Sequence, residues 1–253
     1  MDFASALLVL SIGLGAGFAG GLLGVGGGFI ITPALILLLN MKPHIAVATS
    51  LFAVTMTSLS STLYYAEKGL VDFHLGMMLE SASMLGAILG AHLALALPGN
   101  VIEIAFGLVL GYASLKMAFS KGVHGDGREG EYRHVWAGIA ASFAAGILSG
   151  LLGIGGGTVK GPIMMLVMGV PVHTAVPTSS FMIGLTAAAG TIVYISAGLV
   201  EPVTAALTAV GVFLGAQAGS RVAVRTKPRM LRRIFGVVLL LAALRMIAKG
   251  LGV

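Results

Sequence analysis

One register runs through this chain twice. The segment GLLGVGGG begins at Gly21 and returns as GLLGIGGG at Gly150, an offset of 150 − 21 = 129 residues. The same offset joins Pro33 to Pro162, His44 to His173, Thr49-Ser50 to Thr178-Ser179, Tyr65 to Tyr194 and Gly86 to Gly215. Set side by side without gaps, residues 16–71 and 145–200 share 23 identities in 56 positions. A common liking for apolar residues does not hold one register that long, so the chain is one unit written twice. The expected organisation is a first repeat over 1–119, a polar linker over 120–134 (SKGVHGDGREGEYRH) and a second repeat over 135–253.

What surrounds the two units follows from charge. Only 9% of the residues are charged and 57% are apolar, where a soluble domain carries about 25% charged residues. So few charges do not cover a water-facing surface, and the bilayer is the expected solvent and partner. At roughly 20 residues per crossing, the length allows about eight to ten membrane segments. The stretch 3–23 has the look of a signal peptide, but it reappears as 132–152, and a cleaved leader has no reason to be repeated. The net charge of +6 sits in a few short loops rather than on one face, which argues against nucleic acid. There is no cysteine, hence no disulfide and no cysteine-ligated metal.

Loop charge also orients the halves. Arg221, Arg225, Lys227, Arg229, Arg232 and Arg233 mark one loop as cytoplasmic, while the matching loop near Pro98–Asn100 has no basic residue. Equivalent loops on opposite sides mean inverted repeats, with both termini outside. Lys68, Lys116, Lys121, Arg128 and Arg133 then join the inner set, and Lys42, Arg245 and Lys249 lie outside. The expected fold is therefore an all-α integral membrane protein of two inverted repeats.

Gly24–Gly28 and Gly153–Gly157 interrupt apolar stretches that would otherwise continue as helix. Unwound backbone inside a bilayer survives only where protein buries it or a polar cavity receives it. A matched pair of such breaks points to a transport site. The stretch after the first break, about 29–39, is too short to span some 30 Å of hydrocarbon, so a broken or re-entrant element is expected. Gly26, Gly27 and Gly28 with Gly155, Gly156 and Gly157 are the candidate substrate backbone. The positive ends of the helices that restart there suit an anion. The glycines lack the βαβ context and the acidic residue of a dinucleotide fold, and no phosphate-loop Gly-Lys-Ser/Thr follows.

Side chains add to this. Lys160 lies three residues past the second break in an apolar segment, where the first half has Ile31. An ionisable residue inside a membrane is a functional candidate by default, here as an anion's counter-charge, with snorkelling to the interface as the plainer reading. Glu80, also within an apolar stretch, is a candidate for coupling to a proton or ion, or a partner for Lys160. Thr49, Ser50, Thr178 and Ser179 offer hydroxyls to a substrate, or cap and back-bond their own helices. His44 and His173 lack the further ligands a metal would need, so no metal and no cofactor is expected. No nucleophile–base pair is present to suggest an enzyme.

The paired GLLGVGGGFIITPAL and GLLGIGGGTVKGPIM, each followed by His-x-Ala-x-x-Thr-Ser, resemble the TauE/SafE family of membrane permeases over about residues 10–248. The resemblance implies transport of sulfite, organosulfonates or related small anions at the cytoplasmic (inner) membrane, centred on the two glycine motifs. Lys160 departs from the family pattern, in which that position is apolar, and bears on substrate preference. The expectation is a secondary transporter working by alternating access, with proton coupling resting on Glu80. A passive anion channel, a carboxylate transporter and a non-transporting scaffold are the alternatives. Assembly is open, a homodimer included.

Overall fold

The computed structural model describes residues 3–119, 132–223 and 229–252. Every regular element among them is a helix. In the first half these are α1 (Phe3–Leu23), α2 (Gly28–Leu38), α3 (Pro43–Glu67), α4 (Phe73–Ala96) and α5 (Gly99–Phe119). In the second they are α6 (Val135–Leu152), α7 (Gly157–Leu166), α8 (Val172–Ser196), α9 (Pro202–Ala223) and α10 (Arg229–Gly250). Most of the 120–134 linker, with Lys121 and Arg128, lies outside the described residues, as do Arg225 and Lys227.

Helix is the answer lipid imposes, because it pairs every backbone donor and acceptor within the segment. Among the described residues, six helices, α1, α3, α4, α6, α8 and α9, are long and apolar enough to cross a membrane. Their outward faces carry Leu7, Leu59, Leu63, Leu85, Ile192 and Leu214, all exposed. In water such a surface would drive aggregation, whereas in a bilayer it is the solvated face. The core is drawn from both halves, with Leu51, Val54, Ile154, Ile183 and Val212 buried in one cluster.

Chain directions follow from which residues meet. Beside α4, Ser83 approaches Gly146 and Ala91 approaches Gly150, so α4 and α6 run parallel. Asp72 N–H donates to Thr178 Oγ1, and Ser83 bonds Thr186, so α4 and α8 run parallel too. Thus α6 and α8 point the same way, and the short α7 between them returns toward the end from which α6 started. The corresponding contact in the first half brings Tyr65, near the end of α3, onto Gly21, near the end of α1.

Matching helices of the two halves run in opposite directions. Ser58 meets Ser180 while Leu51 meets Gly190, which makes α3 and α8 antiparallel. Ile104 meets Gly250 while Gly107 meets Ile247, which does the same for α5 and α10. The halves are not two bodies side by side. Helix α1 packs along α9, and α6 packs along α4, so each half lays its first helix on the other half.

Glycine permits that closeness. A Cβ at Gly13 would come within 3.1 Å of the Gly211 Cα, and one at Gly150 within 2.8 Å of the Ala91 nitrogen. Small residues at helix contacts replace the hydrophobic effect as the source of association in lipid, where close packing must supply the attraction.

Candidate functional site

The two glycine motifs adopt one backbone shape twice. Gly24, Gly26 and Gly27 have φ of 67°, 82° and 78°, and Gly153, Gly155 and Gly156 have 76°, 78° and 74°. These left-handed angles are open to glycine and strained for residues with a Cβ. Each motif therefore stops one helix and starts another within five residues. Helices α2 and α7 begin after Gly27 and Gly156, and neither N-cap receives a side-chain hydrogen bond. The N-cap residues, being glycines, supply no side-chain oxygen to the first amides of either helix, and the positive ends of both dipoles are buried. Pro33 and Pro162 lie inside these helices rather than in their opening turn, at the sixth residue of each.

The breaks touch. A Cβ at Gly28 would lie 3.0 Å from the Ile154 Cα, and one at Gly157 2.7 Å from the Val25 Cα. Between them stand Val54 and Ile183, equivalent by the 129-residue offset. Added Cβ atoms at Gly26 and Gly155 would each strike both side chains within 3.0 Å. That apolar pair packs against both breaks.

Serines fix the breaks crosswise. Ser50 Oγ donates to the Gly153 carbonyl oxygen at 2.8 Å, and Ser179 Oγ donates to the Gly24 carbonyl oxygen at 3.3 Å. Each half thus holds the break of the other. The tyrosines act within their own half: Tyr65 Oη donates to Gly21 O and Tyr194 Oη to Gly150 O, both at 2.9 Å. Thr178 points elsewhere, accepting from the Asp72 N–H at 2.9 Å where the chain enters α4. The Thr49 hydroxyl is buried with no hydrogen-bond partner, as is that of Thr32 in the first turns of α2. Thr32 lies where a Cβ on Gly153 would approach its Oγ1 to 3.1 Å. Sequence reading did not single out Thr32, because the second half has Gly161 at that position.

Lys160 and Glu80 meet. Lys160 Nζ donates to Glu80 Oε2 at 2.8 Å, with the two side chains 0% and 1% exposed. Nζ also donates to Thr186 Oγ1 and approaches the Met182 carbonyl oxygen at 3.5 Å. Thr186 in turn donates to Glu80 Oε1, and its Oγ1 lies 3.0 Å from Ser83 Oγ. The network is self-consistent: one hydroxyl proton from Thr186 goes to the carboxylate, and its oxygen accepts from the others. The Lys160 charge is neutralised in place, so as held here it offers no free cation to the glycine breaks. His44 caps α4 by bonding the Ala94 and Leu97 carbonyl oxygens, both at 3.0 Å.

Broken helices meeting inside an apolar bundle, in two copies, are the architecture of a membrane carrier. The family model of the sulfite exporter TauE/SafE matches residues 9–246. This chain belongs to the TauE/SafE family. Among its TauE/SafE-like relatives is a "Probable membrane transporter protein YunE" of Bacillus subtilis, 30% identical over 98% of this chain and 99% of its own length. A "Probable membrane transporter protein" of Xylella fastidiosa is 29% identical, with 95% of each chain covered. Another, MJ0441 of Methanocaldococcus jannaschii, is 27% identical over 92% of this chain and 91% of its own. No solved structure matches the chain. As a TauE/SafE protein with, among the described residues, six helices long and apolar enough to cross a membrane, the chain is a multi-pass membrane transporter and not an enzyme.

Proposed function

We propose that this TauE/SafE protein is a secondary transporter of a small sulfur-containing anion, sulfite or an organosulfonate, across the cytoplasmic membrane. The observation that carries this reading is the meeting of two buried, uncapped helix N-termini, at Gly27–Gly28 and Gly156–Gly157, on the two sides of Val54 and Ile183. Amides aimed from two helix starts bind an anionic head without needing a free cationic side chain. The buried hydroxyls of Thr32 and Thr49, left without partners, supply further donors near the same crossing. The family's name, sulfite exporter, favours sulfur oxyanions over carboxylates.

Alternating access is the transport mechanism this reading entails, with the crosswise bonds as the coupling between the halves. Substrate entering from one side must part Val54 from Ile183, and rocking one half shifts the break held by Ser50 or Ser179 of the other. The antiparallel course of α3 and α8 and of α5 and α10 supports inverted repeats, and the loop charges favour both termini outside.

The test is flux of labelled sulfoacetate and isethionate into proteoliposomes, with and without the same anion trapped inside. Saturation and acceleration by trapped anion are expected. Flux that rises linearly with concentration and ignores the trapped anion would make the protein a channel. Absence of flux for sulfonates, beside flux of a small carboxylate, would move the substrate class.

A further inference from the structure

The surroundings of Lys160 are those of a cation site. Every partner of its ammonium is an oxygen: a carboxylate from α4, a hydroxyl from α8 and, at longer reach, a backbone carbonyl from α8. Carboxylate, hydroxyl and carbonyl oxygens are also what hard alkali cations take as ligands. Two more hydroxyls stand close by without partners. Ser149 and Ser142 of α6 are buried, and their Oγ atoms have no hydrogen bond. Ser149 Cβ and Lys160 Cε lie within 3.5 Å of one point, the place of a Cβ on Gly156. Ser142 precedes by one turn Gly146, which packs on Ser83.

Nothing in folding demands a lysine here. It sits in the opening turns of α7, at the positive end of the helix dipole, where a cation is disfavoured. A buried ion pair costs several kcal/mol per ion in desolvation and is often no better than an apolar pair. The protein contains that apolar alternative. At the equivalent positions of the other half stand Ile31 for Lys160, Ala209 for Glu80 and Val212 for Ser83. Thr57, equivalent to Thr186, bonds back to the Ala53 carbonyl of its own helix, at 3.1 Å. Ser142 and Ser149 correspond to Gly13 and Gly20. The polar cluster joins α4 of the first half to α6, α7 and α8 of the second, and was therefore built or kept at one of two equivalent junctions between the halves, while the fold stands without it at the other.

We propose that Glu80, Thr186 and the Met182 carbonyl form a seat for a monovalent cation, and that Lys160 fills it with its own ammonium. The coupling cation is then a proton carried on Lys160, in place of a sodium ion from solution. That last clause rests on the transporter reading, while the seat itself does not. Movement of α7, which carries both Lys160 and a glycine break, withdraws the ammonium from its oxygens. Outside the seat the N–H bond breaks, its electron pair stays on nitrogen, and the proton passes to water. Reprotonation from the other side restores the ion pair. The titratable groups on the helices around the seat are few: α6 has none, α7 has only Lys160, and α8 has His173 and Tyr194, 13 and 8 residues from Thr186. On α4, His74 and His92 lie 6 and 12 residues from Glu80.

Binding is tested without any transport substrate. Lys160→Ala empties the seat, and methylammonium replaces the end of the missing side chain. The detergent-purified variant is melted in methylammonium, sodium or choline chloride at equal ionic strength. Methylammonium, and sodium to a lesser degree, should raise its melting temperature by about 2–4 °C at several times the dissociation constant. Choline should do nothing. The wild type and the Lys160→Ala/Glu80→Ala double variant should not respond. An equal response of all three proteins, or none in Lys160→Ala, overturns the seat. If Lys160→Ala cannot be purified, yields from cells grown with and without methylammonium decide: selective rescue supports the seat, and equal loss overturns it. Flux that persists in wild type but ignores a pH gradient overturns the coupling alone, whereas no flux of any anion overturns the transporter reading.

Discussion

A Cβ at Gly26 or Gly155 faces two penalties together. The backbone angle costs roughly 1–2 kcal/mol for any L side chain, and the new atom meets both Val54 and Ile183 within 3.0 Å. Gly26→Ala and Gly155→Ala should therefore each lower the melting temperature in detergent, by similar amounts, because their surroundings are the same by repeat. The serines should separate. Ser50→Ala removes a bond of 2.8 Å and Ser179→Ala one of 3.3 Å, so Ser50→Ala should cost more, about 1 kcal/mol or somewhat above. Equal melting points for the two serine variants would count against crosswise fixing by these bonds. At this scale the glycine breaks were readable from sequence, since the same motif at one fixed offset demands the same unusual backbone. The Lys160–Glu80 partnership was only one of several readings. Comparing the copies brings out what they share, and this pair lives where they differ, 80 residues apart and with nothing periodic to link the two positions.

Helix pairs are held by close approach, and the glycines sort into two kinds. Gly86 and Gly150 lie under the backbone of the opposite helix in the α4–α6 pair, while Gly15 on α1 has nothing within 4 Å of an added Cβ. Gly150→Leu should force α4 and α6 apart and abolish the folded protein in a fluorescence size-exclusion assay. Gly15→Ala should stabilise by up to about 1 kcal/mol, the usual gain of alanine over glycine in a helix. The sequence announced the short elements well, since some ten apolar residues after a glycine break cannot reach across a bilayer. It did not announce which helices pair. The patterns Gly86-xxx-Gly90 and Gly211-xxx-Gly215-xxx-Gly219 fix a small-residue face, but a face does not name its partner. That α1 would lie on α9, and α6 on α4, emerged only in the folded chain.

For the whole molecule the question is which way up each half stands. Lys68 and Ala197 are equivalent, both exposed, and end α3 and α8, which run antiparallel. The chain has no cysteine, so Lys68→Cys and Ala197→Cys each place one thiol on a silent background. An impermeant maleimide applied to intact cells should label Ala197→Cys, and Lys68→Cys only after the membrane is opened. Labelling of both from the same side would remove the inverted arrangement. Charge in the loops made this topology arguable before any coordinates, while the interlocking of the halves depends on Ser50, Ser179 and two helix pairs that no local signal reveals. That interlocking has a consequence for ancestry and for engineering. A single half could have worked only as a dimer with its twin, and every residue in it would have served two equivalent places at once. Joining the genes end to end released one copy from the other, so a charge pair could arise at one of the two equivalent junctions, Glu80 from the first half and Lys160 from the second, while the other junction stayed greasy. Cut again in the 120–134 stretch and made as two polypeptides, the protein should still assemble, and as a mixed pair, because Glu80 lies in one piece and its partner Lys160 in the other.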